Sequence, residues 1–148
     1  MTLSIPGVEV LFIAGFGPIV NSLSAGRELY VDTLRLPLKP LEGNADYLVT
    51  DRIDGAKHFA LWPLAQASES CFGQPCWPSD LPIPQSWLEF DVADMDAATA
   101  ALKKQGYRLL VENRLEPWGQ RVTRFLSPEG MLVGVSYTPW LRDGESGR

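Results

Sequence analysis

The two halves of the chain show the same order of predicted elements, and this repeat restricts the possible folds more than any other feature. Residues 20–25 (VNSLSA) align with residues 92–97 (VADMDA), at the end of a predicted strand and the start of a predicted helix in each half. In both halves the order is strand, helix and then hairpin strands, which indicates an internally duplicated βαβββ unit. Each unit would be a sheet with one helix on its back, so the sequence predicts an α+β fold.

Periodicity gives the elements of the first half. An apolar strand at residues 8–20 precedes helix-like spacing at residues 24–34, for which Ser22 is a suitable cap. Two strand-like runs, residues 47–53 and 56–64, flank Asp54-Gly55. Because Asp-Gly is a strong signal for a two-residue turn, we expect a hairpin there.

The first strand contains Gly15-Phe16-Gly17, which at first sight suggests a dinucleotide phosphate loop. That loop needs a third glycine for close packing of helix on strand, and Val20 occupies the position. Pro18 also lies where backbone N–H groups would have to converge on the phosphate. We therefore interpret the glycines as backbone freedom within a kinked or bulged strand.

The second half repeats the order with clearer boundaries. Asp94 caps a predicted helix over residues 95–105, and Gly106 ends it. Strands are predicted at residues 87–92, 107–112, 121–126 and 131–137, with turns at residues 117–119 and 127–130.

Between the halves, residues 65–84 are rich in Ser, Gln, Gly and Pro, and we predict a linker loop. The predicted organisation is a first module at residues 7–64, this linker, a second module at residues 85–140 and a flexible tail at residues 141–148. Cys71 and Cys76 lie in the linker without a second pair, so we expect two reduced thiols rather than a zinc site.

Composition and charge restrict the partners. The chain has 148 residues, of which 45% are hydrophobic, and a formal net charge of −5. Nucleic-acid and anionic-membrane binders need a basic face, so we expect neither partner and favour a neutral or cationic small molecule. The N-terminus resembles no signal peptide and the apolar runs are too short to span a bilayer, so we expect a cytoplasmic location.

Alternation in the strand at residues 87–92 divides its side chains between two faces. Leu88, Phe90 and Val92 share one face, while Trp87, Glu89 and Asp91 share the other. The apolar set suits the helix, so the second set either faces a cavity or forms an ordinary solvent-facing surface.

Three segments resemble the vicinal oxygen chelate superfamily, which includes glyoxalase I, extradiol dioxygenases and bleomycin-resistance proteins. These segments are Val20 to Leu38, Phe90 to Ala98 and above all Pro117 to Val135 (PWGQRVTRFLSPEGMLVGV). The resemblance covers about residues 7–140. It implies paired βαβββ modules that form open, barrel-like curved sheets with helices outside, usually in a homodimer.

Enzymes of this superfamily hold one divalent metal with His and Glu side chains from the first, fourth, fifth and eighth strands. In this chain the resemblance places Gly15, Trp87 and Gly134 at three of those positions, and His58 or Trp62 at the fourth-strand position. A catalytic metal needs about three protein ligands. Since His58 is the chain's single histidine, we predict no metal and no other cofactor.

We predict a ligand site rather than a catalytic one. His58 could form a hydrogen bond to a ligand. Glu89 and Asp91 could bind a cationic group of the ligand, act as an acid–base pair, or lie solvated at the rim of the site. The tryptophans could stack on a planar ligand or form a dimer interface. The predicted ligand-binding residues are His58, Trp62, Trp87, Glu89, Asp91, Trp118 and Arg121.

The leading functional hypothesis is a metal-free binding protein, similar to bleomycin-resistance members, that sequesters a planar aromatic or cationic ligand. Antibiotic resistance would be one role for it. The alternative is an enzyme: a divergent metal-dependent lyase, isomerase or dioxygenase, or a metal-independent one with Glu89 or Asp91 as base. A third hypothesis is a partner or regulatory domain whose sheet face is filled by its own side chains.

Overall fold

The computed structural model describes residues 7–142, and these form two compact units. The first unit comprises residues 15–87, and the second comprises residues 7–14 together with residues 88–142. The helices are α1 (Leu23–Arg27), α2 (Leu64–Phe72) and α3 (Met95–Lys104). The strands are β1 (Val10–Val20), β2 (Lys39–Leu41), β3 (Asn44–Thr50), β4 (Phe59–Pro63), β5 (Ser86–Val92), β6 (Leu109–Leu115), β7 (Arg121–Leu126) and β8 (Leu132–Tyr137).

The element order βαβββ occurs twice, as the sequence predicts, and the α+β fold class is confirmed. In the first unit the order is β2-β3-β4-β1, with β1 and β4 parallel, and in the second unit it is β5-β8-β7-β6. The module boundaries at residues 64, 85 and 140 stay predictions.

The first unit packs its sheet against the segment that follows β1. Leu38, Leu48 and Leu61 form the buried centre of this core, and Phe59 and Tyr30 pack around it. Ser22 caps α1 as predicted, because its hydroxyl accepts a hydrogen bond from the backbone N–H of Ala25 at 3.3 Å. The predicted helix over residues 24–34 is not uniform, however: after α1 it widens into a π-helical segment, Glu28–Thr33.

The predicted β3–β4 hairpin is present, but its turn is longer than the Asp-Gly signal implies. Thr50 pairs with Phe59, so residues 51–58 form the connection, and Gly55 lies inside it at a φ of 89°. The left-handed conformation explains the glycine, while the two-residue turn is wrong.

The predicted linker loop is wrong in its first part, where α2 forms. Its buried residues are Ala67, Ser68 and Cys71, which are small and only weakly apolar, and no side chain caps the helix. The usual sequence signals for a helix are therefore missing. Within the described residues Cys71 is buried on this helix, Cys76 is exposed, and neither forms a disulfide.

The second unit follows its predicted elements closely. Asp94 accepts a hydrogen bond from the N–H of Ala97 at 3.0 Å and caps α3, and Gly106 follows its end at a φ of 92°. The core joins Val92, Met95, Ala98 and Val135, so α3 packs on the sheet through one face.

After β8, a 3-10 helix at Pro139–Leu141 leads to Arg142, the last described residue. Most of the predicted tail, from Asp143 onward, lies outside the described residues. Over residues 7–142, no helix combines the length and the apolar character that a membrane crossing requires.

Candidate functional site

An aromatic cluster forms one face of the first unit's sheet. The rings of Trp62 and Trp87 meet edge to face with centroids 5.7 Å apart, and His58 meets Trp87 in the same way at 5.8 Å. The indole N–H of Trp87 donates a hydrogen bond to the carbonyl oxygen of Ala60 at 3.2 Å. Three of the predicted site residues, His58, Trp62 and Trp87, are therefore brought together.

Tyr47 joins this cluster through its hydroxyl, which lies 2.9 Å from Nε2 of His58. Both side chains are half-buried, whereas Trp62 and Trp87 are buried. His58 and Tyr47 are thus the accessible edge of the cluster. Sequence reasoning missed Tyr47, although its register in β3 opposite β4 is a signal that could have found it.

Gly15 and Gly17 make room for the cluster. A Cβ at Gly15 would lie 2.9 Å from Cη2 of Trp87 and 3.1 Å from Cδ2 of His58. A Cβ at Gly17 would overlap the carbonyl oxygen of Ala60. The glycines therefore serve close approach between β1 and its neighbours, and the first-strand position is filled by the Trp87 and His58 rings.

The second unit holds a buried ion-pair network in place of an aromatic cluster. Arg124, with 2% of its side chain exposed, donates hydrogen bonds from Nη1 to Glu116 at 2.9 Å and from Nη2 to Glu89 at 3.2 Å. Gln120 donates from its amide to Glu89 at 3.0 Å. Glu89 is thus neither a solvated rim residue nor a free base.

Asp91 is fully buried and receives several hydrogen bonds within the second unit. Ser136 and Thr138 donate from their hydroxyls, each at 2.8 Å, and Arg142 donates from Nε at 3.0 Å. The expected alternation along β5 is present, but Trp87, Glu89 and Asp91 are buried, whereas Leu88 and Phe90 are half-buried, so the second set forms no solvent-facing surface. The cationic groups that pair with the carboxylates of Glu89 and Asp91 are arginines of the protein itself. Asp91 therefore acts as a structural anchor.

The pKa of Glu116 lies below its ordinary value. Burial alone would raise this pKa, but hydrogen bonds from Arg114 and Arg124, together with their positive charges, lower it more. Glu116 therefore stays ionised between two guanidinium groups, with Arg114 Nε at 3.0 Å from its carboxylate.

Trp118 and Arg121 lie at the surface of the second unit. Trp118 is 52% exposed and donates from its indole to the side-chain oxygen of Gln120 at 2.9 Å. Arg121 is exposed and donates to the carbonyl oxygen of Asn113 at 3.0 Å. Because side chains alternate along β7, Arg121 lies on the opposite face from Arg124.

The remaining tryptophans do not join either cluster. Trp77 packs edge to face on Phe72 at 5.0 Å and donates to the carbonyl oxygen of Pro82. Trp140 is partly exposed on the 3-10 helix.

The residues at the expected metal positions do not fit a divalent cation. Gly15, Trp87 and Gly134 carry no suitable donor atom, and Nε2 of His58 already contacts Tyr47. Over the described residues, no group of three or more His, Cys, Asp and Glu side chains is placed to hold a metal. We therefore derive no chemical step through a metal.

One cavity of about 250 Å³ opens on the first unit. Its lining residues are Val20, Asn21, Leu23, Asp46, Pro63, Leu64, Ala65 and Pro75. None of the predicted ligand-binding residues contributes to this cavity.

Comparison with known proteins supports the fold. Residues 76–135 match the model of the Glyoxalase/Bleomycin resistance protein/Dioxygenase superfamily. No curated protein matches the sequence. A superfamily member from Vibrio splendidus 12B01 is 15% identical, with a TM-score of 0.53, covering 87% of this chain and 97% of its own.

Two further solved structures are similar. A protein named NAD-dependent benzaldehyde dehydrogenase from Legionella pneumophila is 12% identical, with a TM-score of 0.53, covering 82% of this chain and 96% of its own. A variant of methylmalonyl-CoA epimerase from Streptomyces coelicolor, in complex with 2-nitronate-propionyl-CoA, is 19% identical, with a TM-score of 0.51, covering 95% of this chain and 100% of its own. At these identities the structures show a shared fold alone, while the superfamily model matches residues 76–135 of the sequence.

Proposed function

We propose that this protein, which has the fold of the glyoxalase, bleomycin-resistance and dioxygenase superfamily, is a metal-free binding protein for a planar aromatic or cationic small molecule. The observation that carries the proposal is that aromatic rings occupy the space where the resemblance implies metal-ligating side chains: Trp87 and His58 fill the space beside Gly15. A site built this way contains aromatic rings and few metal-ligating atoms.

The ligand contacts the accessible edge of the aromatic cluster. His58 and Tyr47 are half-buried and hydrogen-bonded to each other, so a ligand polar group can exchange with that bond while its ring lies against the exposed edges of these two side chains. Trp62 meets Trp87 edge to face at a centroid distance of 5.7 Å and holds the Trp87 ring in place beside His58. The net charge of −5 favours the approach of cations over anions.

Tryptophan fluorescence tests the proposal. The purified protein is titrated with proflavine, a planar cation, and with bleomycin, in buffer containing a chelator. We expect saturable quenching at sub-millimolar concentration, and an affinity that falls by about 10-fold or more in His58→Ala and Tyr47→Phe, because each change removes a polar contact.

Trp140→Phe is the matched control, because Trp140 lies in the second unit and is partly exposed. This variant keeps the wild-type affinity. Equal weakening in Trp140→Phe and His58→Ala, or no quenching by either compound, would count against the proposal. Stoichiometric Fe, Mn, Zn or Ni in the purified protein would overturn its metal-free part.

The Tyr47–His58 pair also favours a second candidate, a metal-independent enzyme. An imidazole hydrogen-bonded to a phenol can exchange a proton with a bound substrate, whereas Glu89 and Asp91 are held in ion pairs. The test is NMR of a bound ligand in D₂O: deuterium incorporation that disappears in His58→Gln supports an enzyme, and an unchanged ligand supports binding alone.

A further inference from the structure

The second unit places a positive charge where two acidic side chains converge. Arg124 lies between Glu89 and Glu116, with closest nitrogen-to-oxygen distances of 3.2 Å and 2.9 Å. All three residues are buried. Two buried carboxylates would repel each other strongly without a cation between them.

The position of this cation follows from the register of β7 and β8. Arg124 is the cross-strand partner of Gly134, the position at which the superfamily resemblance implies a carboxylate ligand. A Cβ at Gly134 would lie 3.1 Å from Cγ of Glu89. A side chain at position 134 would therefore crowd Glu89 and require it to shift, and the glycine leaves room for the network.

We propose that Arg124 is a built-in substitute for a divalent cation: its guanidinium neutralises Glu89 and shares Glu116 with Arg114, and removing it leaves one more carboxylate than guanidinium and turns the two carboxylates into a divalent-cation site. Carboxylate oxygens are the ligands that Mg²⁺, Ca²⁺ and Mn²⁺ accept. The amide nitrogen of Gln120 donates to Glu89 and its oxygen accepts from Trp118, so a cation could use this oxygen only after the amide turns over. The inference is independent of the proposed ligand, because it concerns residues of the second unit alone.

Thermal unfolding with Mn²⁺ tests this substitution. Wild type and Arg124→Ala are heated with and without Mn²⁺, and Mn²⁺ binding is followed by the loss of the free-ion EPR signal. We expect Arg124→Ala to unfold at a lower temperature than wild type, and Mn²⁺ at 100 times its Kd to raise that temperature by about 5 °C or more. Wild type, whose carboxylates are already neutralised, neither shifts nor binds Mn²⁺.

Two controls identify the ligands. Arg121→Ala removes an exposed arginine from the other face of β7, and it gains no Mn²⁺ response. Adding Glu89→Gln and Glu116→Gln to Arg124→Ala abolishes the response, because no carboxylate is left in the cluster.

If Arg124→Ala does not fold alone, Mn²⁺ restores its far-UV circular dichroism. Failure of Mn²⁺ to stabilise or restore this variant would overturn the inference. So would a Mn²⁺ response of wild type, or a response that survives replacement of both glutamates.

Discussion

At the scale of single residues, Gly15 decides what can lie on the first unit's sheet face. A Cβ at this position would lie 2.9 Å from the Trp87 ring, so any larger residue must displace that ring or His58. The sequence shows a glycine in a strand and a tryptophan far along the chain. That they occupy one space is a property of strand pairing.

We expect Gly15→Ala to destabilise the protein by about 1–3 kcal/mol through overpacking against Trp87. Urea unfolding followed by circular dichroism measures this cost. In a Trp87→Leu background the same change costs much less, because the colliding ring is absent. Equal costs in the two backgrounds would contradict the close contact.

Glu116 carries a pH-dependent part of the stability. Its pKa is lower in the folded state than its usual 4.5, so its contribution is present at neutral pH and is lost as the pH falls through the lowered value. We expect Glu116→Gln to cost about 2 kcal/mol at pH 7, with the difference from wild type shrinking below about pH 4.

Urea unfolding from pH 3 to pH 8 measures this trend. The control is Glu112→Gln, whose carboxylate forms an exposed ion pair with Lys103 at 2.9 Å. Exposed pairs are worth little, so this change costs less than about 1 kcal/mol at every pH. A Glu116→Gln cost that stays constant with pH would be inconsistent with a lowered pKa.

At the scale of elements, the sequence predicts a helix end correctly where a local side chain caps it through a hydrogen bond. Asp94 before α3 is such a signal, and the structure confirms it. Helix α2 lacks one, because Pro63 precedes it and no side chain caps it. The buried residues of α2 can be identified only from the packing of this helix beside β4.

We expect Asp94→Ala to destabilise the protein by about 1 kcal/mol, because the N–H of Ala97 loses its acceptor. Asp94→Asn keeps a side-chain oxygen and costs clearly less. Thermal unfolding of the three proteins gives the ranking wild type, Asn, Ala. An alanine variant as stable as wild type would show that the cap is dispensable.

The chain's last described segment is attached to β5 through Asp91. Arg142 reaches this buried carboxylate at 3.0 Å and also donates to the carbonyl oxygen of Val92. We expect Arg142→Met to cost about 3 kcal/mol, because it leaves a buried charge without its main partner.

Arg121→Met is the comparison for Arg142→Met, since it removes an exposed arginine with one bond to the backbone. Its cost in urea unfolding is below about 0.5 kcal/mol. Hydrogen exchange of residues 136–142 accelerates in Arg142→Met alone. Similar stability of the two variants would show that Arg142 does not anchor this segment.

At the scale of the whole molecule, the homodimer that the resemblance implies stays a prediction. Light scattering on the purified protein tests it, with twice the mass of one chain as the expected value. The exposed apolar side chains of β1, among them Leu11 and Ile13, are consistent with a covered surface in such an assembly. A monomeric mass at micromolar concentration would exclude a stable dimer.

The sequence by itself determined the repeated βαβββ order, most strand positions, two helix caps and the lack of donor atoms at Gly15, Trp87 and Gly134. These features depend on local periodicity, capping and residue chemistry, which neighbouring residues reveal. Only the tertiary structure decided that α2 forms, that Trp87 fills the space at Gly15, and that Arg124 rather than Arg121 meets Glu89. The physical reason is that partners in a sheet are set by strand register and pairing, which join residues far apart in the chain.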